Sequence, residues 1–397
     1  MRRNPPLLVA FHAFRFVLFP IPVITLFWMD HVGMTLTDVM VLQAIFGLAV
    51  VVFEFPSGYL ADRVGYRRSL LVGGALAAVG WAIYARATTF AGVALAEVVL
   101  GAGVAFISGA DAAMLFVSLE GQGRGHEYTR WEGRVRAAGQ AAEALSSGLG
   151  GWLYAIAPRL PFWCQVPNAL LVLGTAAALE NEPRDRPAPV SHVDHARRIV
   201  RFALREHPRL RATMALSVAL GLSTFMMVWL IQPWMQRRGI PAAWFGPIWA
   251  GAHLGLVGVS LASGRAVEAL GRGGALLACC VLAPIGYAVL AVADTPWAVL
   301  AYLLFMIVRG LQGPILNAAL QEDAPGADRA TVLSLNTLLF RLTFVVCGPA
   351  VGRLVDSVGL HPALGILAAA SAVATLGAYA AFARAHDRRA DAPRVSR

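Results

Sequence analysis

Eleven ionisable side chains stand inside long apolar runs of this chain: His12, Arg15, Glu54, Glu97, Asp111, Arg134, Arg136, Glu143, His253, Arg309 and Arg341. An ionised group at bilayer depth costs about 2.5–3.5 kcal/mol on insertion scales, so such groups persist where they pair or line a wet cavity. A carboxyl that burial moves towards neutrality can pick up and release protons. An arginine stays charged and serves as a fixed partner instead. The chemistry these residues offer is proton carriage and ion pairing.

Their spacing makes some of them neighbours. His12 and Arg15 share one helix face, and Arg15 lies about nine residues into its run, roughly 13 Å deep at 1.5 Å per residue. Glu54 precedes Pro56, which cannot donate an N–H and leaves a carbonyl free. Two readings fit it: a proton carrier on the inward path, or a permanent pair with Arg15 or Arg136. Asp111 is expected to pair with Arg134 or Arg136. Glu143 sits two turns deeper than those arginines. Glu97 falls towards the outer end of its helix and is set aside as a carrier. Glu54 and Glu143 are therefore the leading proton sites, with His12 as a third candidate. Arg309 and Arg341 make the second half of the chain basic at mid-depth, which suits a polar or anionic substrate. Asn317 joins Arg15, Asp111, Arg134, Arg136, Arg309 and Arg341 as a cavity or ion-pair candidate.

The elements that must position these groups are membrane helices. The 397 residues are 58% hydrophobic and 14% charged, with a mean hydropathy of +0.63. Soluble domains average roughly 25% charged residues. A spanning helix needs about 20 apolar residues. Twelve candidates appear, near 6–29, 37–61, 69–87, 90–119, 131–157, 160–180, 210–236, 241–264, 274–293, 295–321, 331–355 and 360–384. The net charge of +10 is carried by arginine alone, since the chain has no lysine. Those arginines collect in loops and tails on one side, which makes that side cytoplasmic and places both termini there. Nucleic-acid binding is not implied by this charge. Met1-Arg2-Arg3 leads into an apolar run too long for a signal peptide. Cys164, Cys279, Cys280 and Cys347 lie in apolar segments without metal or disulfide spacing. No P-loop, zinc motif or nucleophile–base set is present, so the reading is a non-enzyme without cofactor or metal.

A Pro- and Arg-rich stretch divides the chain. The expected organisation is a six-helix bundle over 1–180, a linker over 181–209, a second bundle over 210–384 and a basic tail over 385–397. His195–His207 reads as a short basic helix lying at the membrane face. The halves are related: Gly58, Asp62 and Gly65 recur as Gly264, Glu268 and Gly271, each shifted by 206. The same shift takes Asp111-Ala112-Ala113 to Asn317-Ala318-Ala319. Such a repeat points to internal duplication.

The stretch Gly58-Tyr59-Leu60-Ala61-Asp62-Arg63-Val64-Gly65-Tyr66-Arg67-Arg68 joins two of the runs. Gly58 would admit a neighbouring helix, and Gly65 suits a turn with positive φ. The pattern G-x-x-x-D-R-x-G-x-R-R resembles the loop between helices 2 and 3 of the major facilitator superfamily. The resemblance implies an all-α membrane protein with 12 transmembrane helices in two pseudo-symmetric six-helix bundles. It implies alternating access, with Gly58, Asp62, Arg63, Gly65, Arg67 and Arg68 as the gating loop. Asp62 would meet the start of helix 11, near Arg329–Leu335. Where relatives often have an arginine before the glycine of helix 4, this chain has Glu97 before Gly101. The antiporter subfamilies have a Gly-rich helix 5 with Gly-Pro; here Gly139, Gly148, Gly150 and Gly151 are in helix 5, and Gly348-Pro349 is in helix 11.

The expected activity is a proton-coupled, drug-efflux-like secondary transporter in a bacterial inner membrane, working as a monomer on small amphiphilic compounds. The alternative is an importer or facilitator of an organic anion or other polar metabolite. A membrane receptor without transport is the reading from another class.

Overall fold

A computed structural model describes residues 1–181, 201–325 and 328–387, apart from the side chains of Asp62, Ala330 and Asp387. Among the described residues every regular element is helical. The chain divides into two compact units. The first holds residues 1–181 with 239–251 and 348–352; the second holds the remaining described residues. Ten stretches among the described residues are long and apolar enough to cross a membrane.

The first unit contains α1 (Asn4–Phe16), α2 (Ile24–His31), α3 (Leu36–Val64), α4 (Tyr66–Arg86), α5 (Phe90–Ile107), α6 (Ala110–Glu120), α7 (Tyr128–Ile156) and α8 (Leu160–Ala178). Helix starts follow local chemistry. Thr35 and Asp38 form a capping box at α3, each side chain bonding the other's backbone N–H at 3.2 and 2.9 Å, which satisfies two orphan donors. Thr89 accepts the Gly92 N–H at the head of α5. Between α3 and α4 the turn is a single non-helical residue, Gly65, at φ 102°. A side chain there would be strained. The close helix approaches lie deeper. A Cβ on Gly73 of α4 would sit 2.9 Å from the Gly103 carbonyl oxygen of α5. Gly58, by contrast, has no heavy atom within 4 Å of where its Cβ would stand. It is exposed, so it does not admit a helix as the sequence suggested.

Two expected helices are broken. The run near 6–29 ends as α1 at Phe16 and resumes as α2 at Ile24. Pro20 and Pro22 lack N–H groups and cannot continue a helix. The freed backbone groups find side chains from α7 and α8. Leu18 N–H donates to Ser146 Oγ at 2.9 Å. Gln165 donates to the Val17 carbonyl at 2.6 Å and accepts from Phe19 N–H at 3.3 Å. Asn168 donates to the Phe14 carbonyl at 2.9 Å. The run near 90–119 breaks between α5 and α6, where Gly109 takes φ 79°. There Ser69 Oγ donates to the Phe106 carbonyl at 2.6 Å, replacing the helical donor lost at the break.

The second unit contains α9 (Pro208–Arg237), α10 (Ala242–Leu261, in part), α11 (Ser263–Val292), α12 (Tyr302–Asp323), α13 (Arg329–Val358, in part) and α14 (Leu360–Asp387). Side chains tie its helices through backbone carbonyls: Trp234 to Leu290 at 2.9 Å, Tyr287 to Ser223 at 2.7 Å and Thr375 to Cys280 at 3.2 Å. Within α11, Gly271 interrupts the helix at φ 71°, matching Gly65 in the first unit. The expected linker helix over His195–His207 lies partly outside the described residues, as do residues 388–397 of the basic tail. Its described end is a π-helical turn, Phe202–Glu206. Ala203 is fully buried there, and Phe202 and Leu204 pack on the cluster of Leu210, Met214 and Leu320. This end docks on the second unit.

The α1 break gives a stability prediction. Gln165→Leu keeps the volume but strands the Val17 carbonyl and the Phe19 N–H. Each buried group left unsatisfied costs about 1–3 kcal/mol. Thermal unfolding of the purified protein should show a clear drop in Tm, and an unchanged Tm would show that Gln165 does not hold the break.

Candidate functional site

The two breaks bring a charged cluster together inside the first unit. Arg15 occupies the last turn of α1, where the helix macrodipole favours a cation. Asp111 occupies the first turn of α6, where it favours an anion. Arg15 Nη1 donates to Asp111 Oδ2 at 3.1 Å. His12 Nδ1 lies 3.7 Å from the same oxygen. Asp111 Oδ1 accepts the Ala112 N–H at 2.9 Å. All three side chains are largely buried, at 15% exposure for His12, 20% for Arg15 and 17% for Asp111. The His12 ring packs on Phe16 and against α7, where a Cβ on Gly139 would lie 2.7 Å from its Cδ2.

The pairing differs from the sequence expectation. Asp111 does not join Arg134 or Arg136. Arg134 is exposed and lies over the Trp131 ring at 4.7 Å. Arg136 is exposed and bonds Glu132 at 2.8 Å, one turn away on α7. A local i,i+4 partner costs α7 little order, while the α5–α6 break turns Asp111 towards α1.

The other candidates separate. Glu54 is exposed on α3, and neither Arg15 nor Arg136 pairs with it. The sequence reading had it buried. Glu143 is half-buried on α7. In the gating stretch, Arg63 lies over the Tyr59 ring at 4.5 Å. Arg67 donates to the Ala177 carbonyl at 2.8 Å and to Asn181 Oδ1 at 3.3 Å, docking the turn on the end of α8. Arg68 is exposed. The Asp62 side chain lies outside the described residues. In the second unit Arg309 and Arg341 are half-buried and Asn317 is exposed. Arg309 is within electrostatic reach of His253. The turn at Gly271 is held by a bidentate fork from Arg272 to Glu322, both contacts at 2.7 Å.

Sequence reasoning passed over Glu97. It is 5% exposed, accepts from Tyr84 Oη at 2.9 Å and hydrogen-bonds Gln43. Among the described residues no cation lies within ion-pair distance of it. The sequence carries a signal, an acid in an apolar helix with no basic residue three or four positions away, but Glu54 shares it.

A cavity of about 250 Å³ lies in the first unit beside the charged cluster. Phe14, Phe46, Trp81, Leu100 and Val104 supply apolar wall, and Arg15, Gln165 and Asn168 supply the polar part.

Membrane-length helices with a largely buried ion pair and a cavity beside it define a polytopic membrane protein. The chain belongs to the Major Facilitator Superfamily, whose family model matches residues 7–346. No curated protein sequence matches it. Among solved structures it is similar to the nucleoside transporter NupG, with 14% identity, a TM-score of 0.79, and 96% of this chain and 99% of that one covered. A POT family transporter in complex with a thioalcohol-conjugated peptide gives 14% identity and a TM-score of 0.76, covering 97% of this chain and 96% of that one. A bacterial homolog of the human lysosomal transporter Spinster gives 13% identity and a TM-score of 0.76, covering 97% of each chain. At these identities the likeness establishes the fold.

The ion pair can be tested by a double-mutant cycle. Arg15→Gln and Asp111→Asn should each lower stability by about 3–5 kcal/mol, because each leaves its partner buried alone. The double variant should lose clearly less than the sum. Unfolding of the four purified proteins measures this, and additive losses would remove the pair.

Proposed function

We propose that the chain is a secondary active transporter that moves a small molecule with an apolar body against its gradient by taking up a proton. The His12–Arg15–Asp111 cluster carries this reading. Arg15 and Asp111 neutralise each other, so the cluster's charge depends on His12. Of the three groups, the imidazole is the one that can exist both neutral and protonated beside an intact Arg15–Asp111 pair. With His12 protonated, Asp111 has two cationic partners and α1 is held more firmly to α6. With His12 neutral, that hold weakens. The role thus passes to His12 from Glu54, whose side chain is exposed, while Glu143, half-buried on α7, stays the second candidate.

The wider reading keeps twelve spans in two related bundles, both termini cytoplasmic, in a bacterial inner membrane. Protons, the bilayer and a small-molecule substrate are the partners, and a monomer suffices. The leading direction is export of amphiphilic compounds. Arg15 in the cavity wall favours a second reading, proton-coupled import or facilitated passage of an organic anion.

Proteoliposomes with an imposed pH gradient test both. His12→Gln should abolish gradient-driven accumulation while leaving substrate exchange, which moves no net proton. Glu54→Gln should keep accumulation. If His12→Gln accumulates substrate with unchanged pH dependence, His12 is not the coupling group. The sign of the gradient that drives accumulation distinguishes export from import. Asp62→Asn should cut transport sharply and leave ligand binding near normal; unaltered turnover would remove Asp62 from the gate.

A further inference from the structure

We propose that the cavity inside the first unit binds a small apolar molecule bearing one carboxylate, with the carboxylate against Arg15. This rests on the transport reading above and names its substrate class.

Size sets the first limit. A dry apolar cavity of about 150 Å³ takes a benzene ring. The present cavity, at about 250 Å³, has room for two fused rings or a compact acyl group. Its walls choose the body of the ligand: Phe46 from α3, Trp81 from α4, and Leu100 and Val104 from α5 offer ring faces and aliphatic surface.

Its polar groups choose the head. Gln165 and Asn168 line the cavity, but both amides already bond the broken backbone of α1. Arg15 is the charged residue in the wall. Its guanidinium has five N–H donors, and Nη1 alone is engaged by Asp111. The remaining donors suit a second carboxylate, for which the planar guanidinium is well shaped.

The far end sets the orientation. Gln43, Tyr84 and Glu97 stand one helical turn beyond Phe46, Trp81 and Leu100 on the same three helices. These three polar residues are joined by hydrogen bonds to Glu97. A ligand carboxylate is disfavoured beside this acid and directed to the Arg15 end.

Charge then links the ligand to the proton. A carboxylate added to the neutral Arg15–Asp111 pair leaves one uncompensated negative charge. A proton on His12 balances it. Around His12, α6 presents Asp111, and α7 presents Gly139, with Arg136 and Glu143 about one turn to either side. Arg136 is engaged by Glu132. The cavity-facing turns of α8 carry Gln165, Asn168, Ala169 and Val172, none of which titrates.

The test is saturation binding of radiolabelled 1-naphthoate to the full-length protein purified in detergent, with 1-naphthamide as the neutral competitor. The acid is ionised at both pH 6 and pH 8. We expect saturable binding, at least tenfold tighter than for the amide, and tighter at pH 6 than at pH 8. Arg15→Gln should weaken naphthoate at least tenfold and leave naphthamide unchanged. Ala77→Met fills the cavity from a wall residue outside the charged cluster and should weaken both ligands at least tenfold. It also decides the matter if Arg15→Gln fails to elute as a folded protein. Equal affinity for acid and amide, or unchanged binding in Ala77→Met, overturns the proposal. Naphthoate binding without any gradient-driven transport would keep the cavity site and remove the transport reading. Transport of other compounds by a protein that does not bind naphthoate would do the reverse.

Discussion

The Arg15–Asp111 pair depends on two helices stopping inside apolar stretches of the chain, and much of the first unit is arranged to let them stop. A break inside a membrane exposes backbone N–H and C=O groups with no water to meet them. Ser146, Gln165 and Asn168 meet those of α1, and Ser69 meets the Phe106 carbonyl at the end of α5. Only with those groups satisfied can α1 end just past Arg15 and α6 begin just before Asp111. Each charge then sits at the helix end whose dipole favours it. The pair, the histidine beside it and the cavity they border follow from that placement.

Small residues make the same region possible in another way. Gly139 leaves room for the His12 ring, and Gly73 with Gly103 lets α4 and α5 approach closely. In a bilayer, helices gain little from burying apolar surface away from lipid, so close packing and interhelical hydrogen bonds carry association. The Tyr84–Glu97–Gln43 group is one such set of bonds. Glu97, unlike Asp111, has no arginine within ion-pair distance among the described residues.

The second unit solves its packing with side chains that bond carbonyls on neighbouring helices, as Trp234, Tyr287 and Thr375 do. Its relation to the first survives in the backbone: Gly65 and Gly271 both take positive φ between paired helices. The supports beside them differ. Arg67 reaches carbonyl and amide oxygens at the end of α8, while Arg272 forks onto Glu322. The two turns share a positive-φ glycine and differ in the partners that hold them.

Membrane character and helical class were legible in the sequence because they rest on composition and period, which every residue of a run reports together. The glycine turn at Gly65 was legible too, since few residues tolerate that backbone. The partner of Asp111 was not. Sequence distance favoured Arg134 and Arg136, but Glu132 and Trp131 engage those side chains locally, and Arg15 arrives from 96 positions away. The prolines after Arg15 announced a weak helix; whether it bends or stops depends on side chains of α7 and α8 that stand far along the chain. Burial was the other quantity the sequence misjudged. Glu54 and Glu97 both lie in apolar runs, yet one is exposed and the other enclosed. A side chain's surroundings are set by which face of its helix meets which neighbour, and that is decided only when the helices pack.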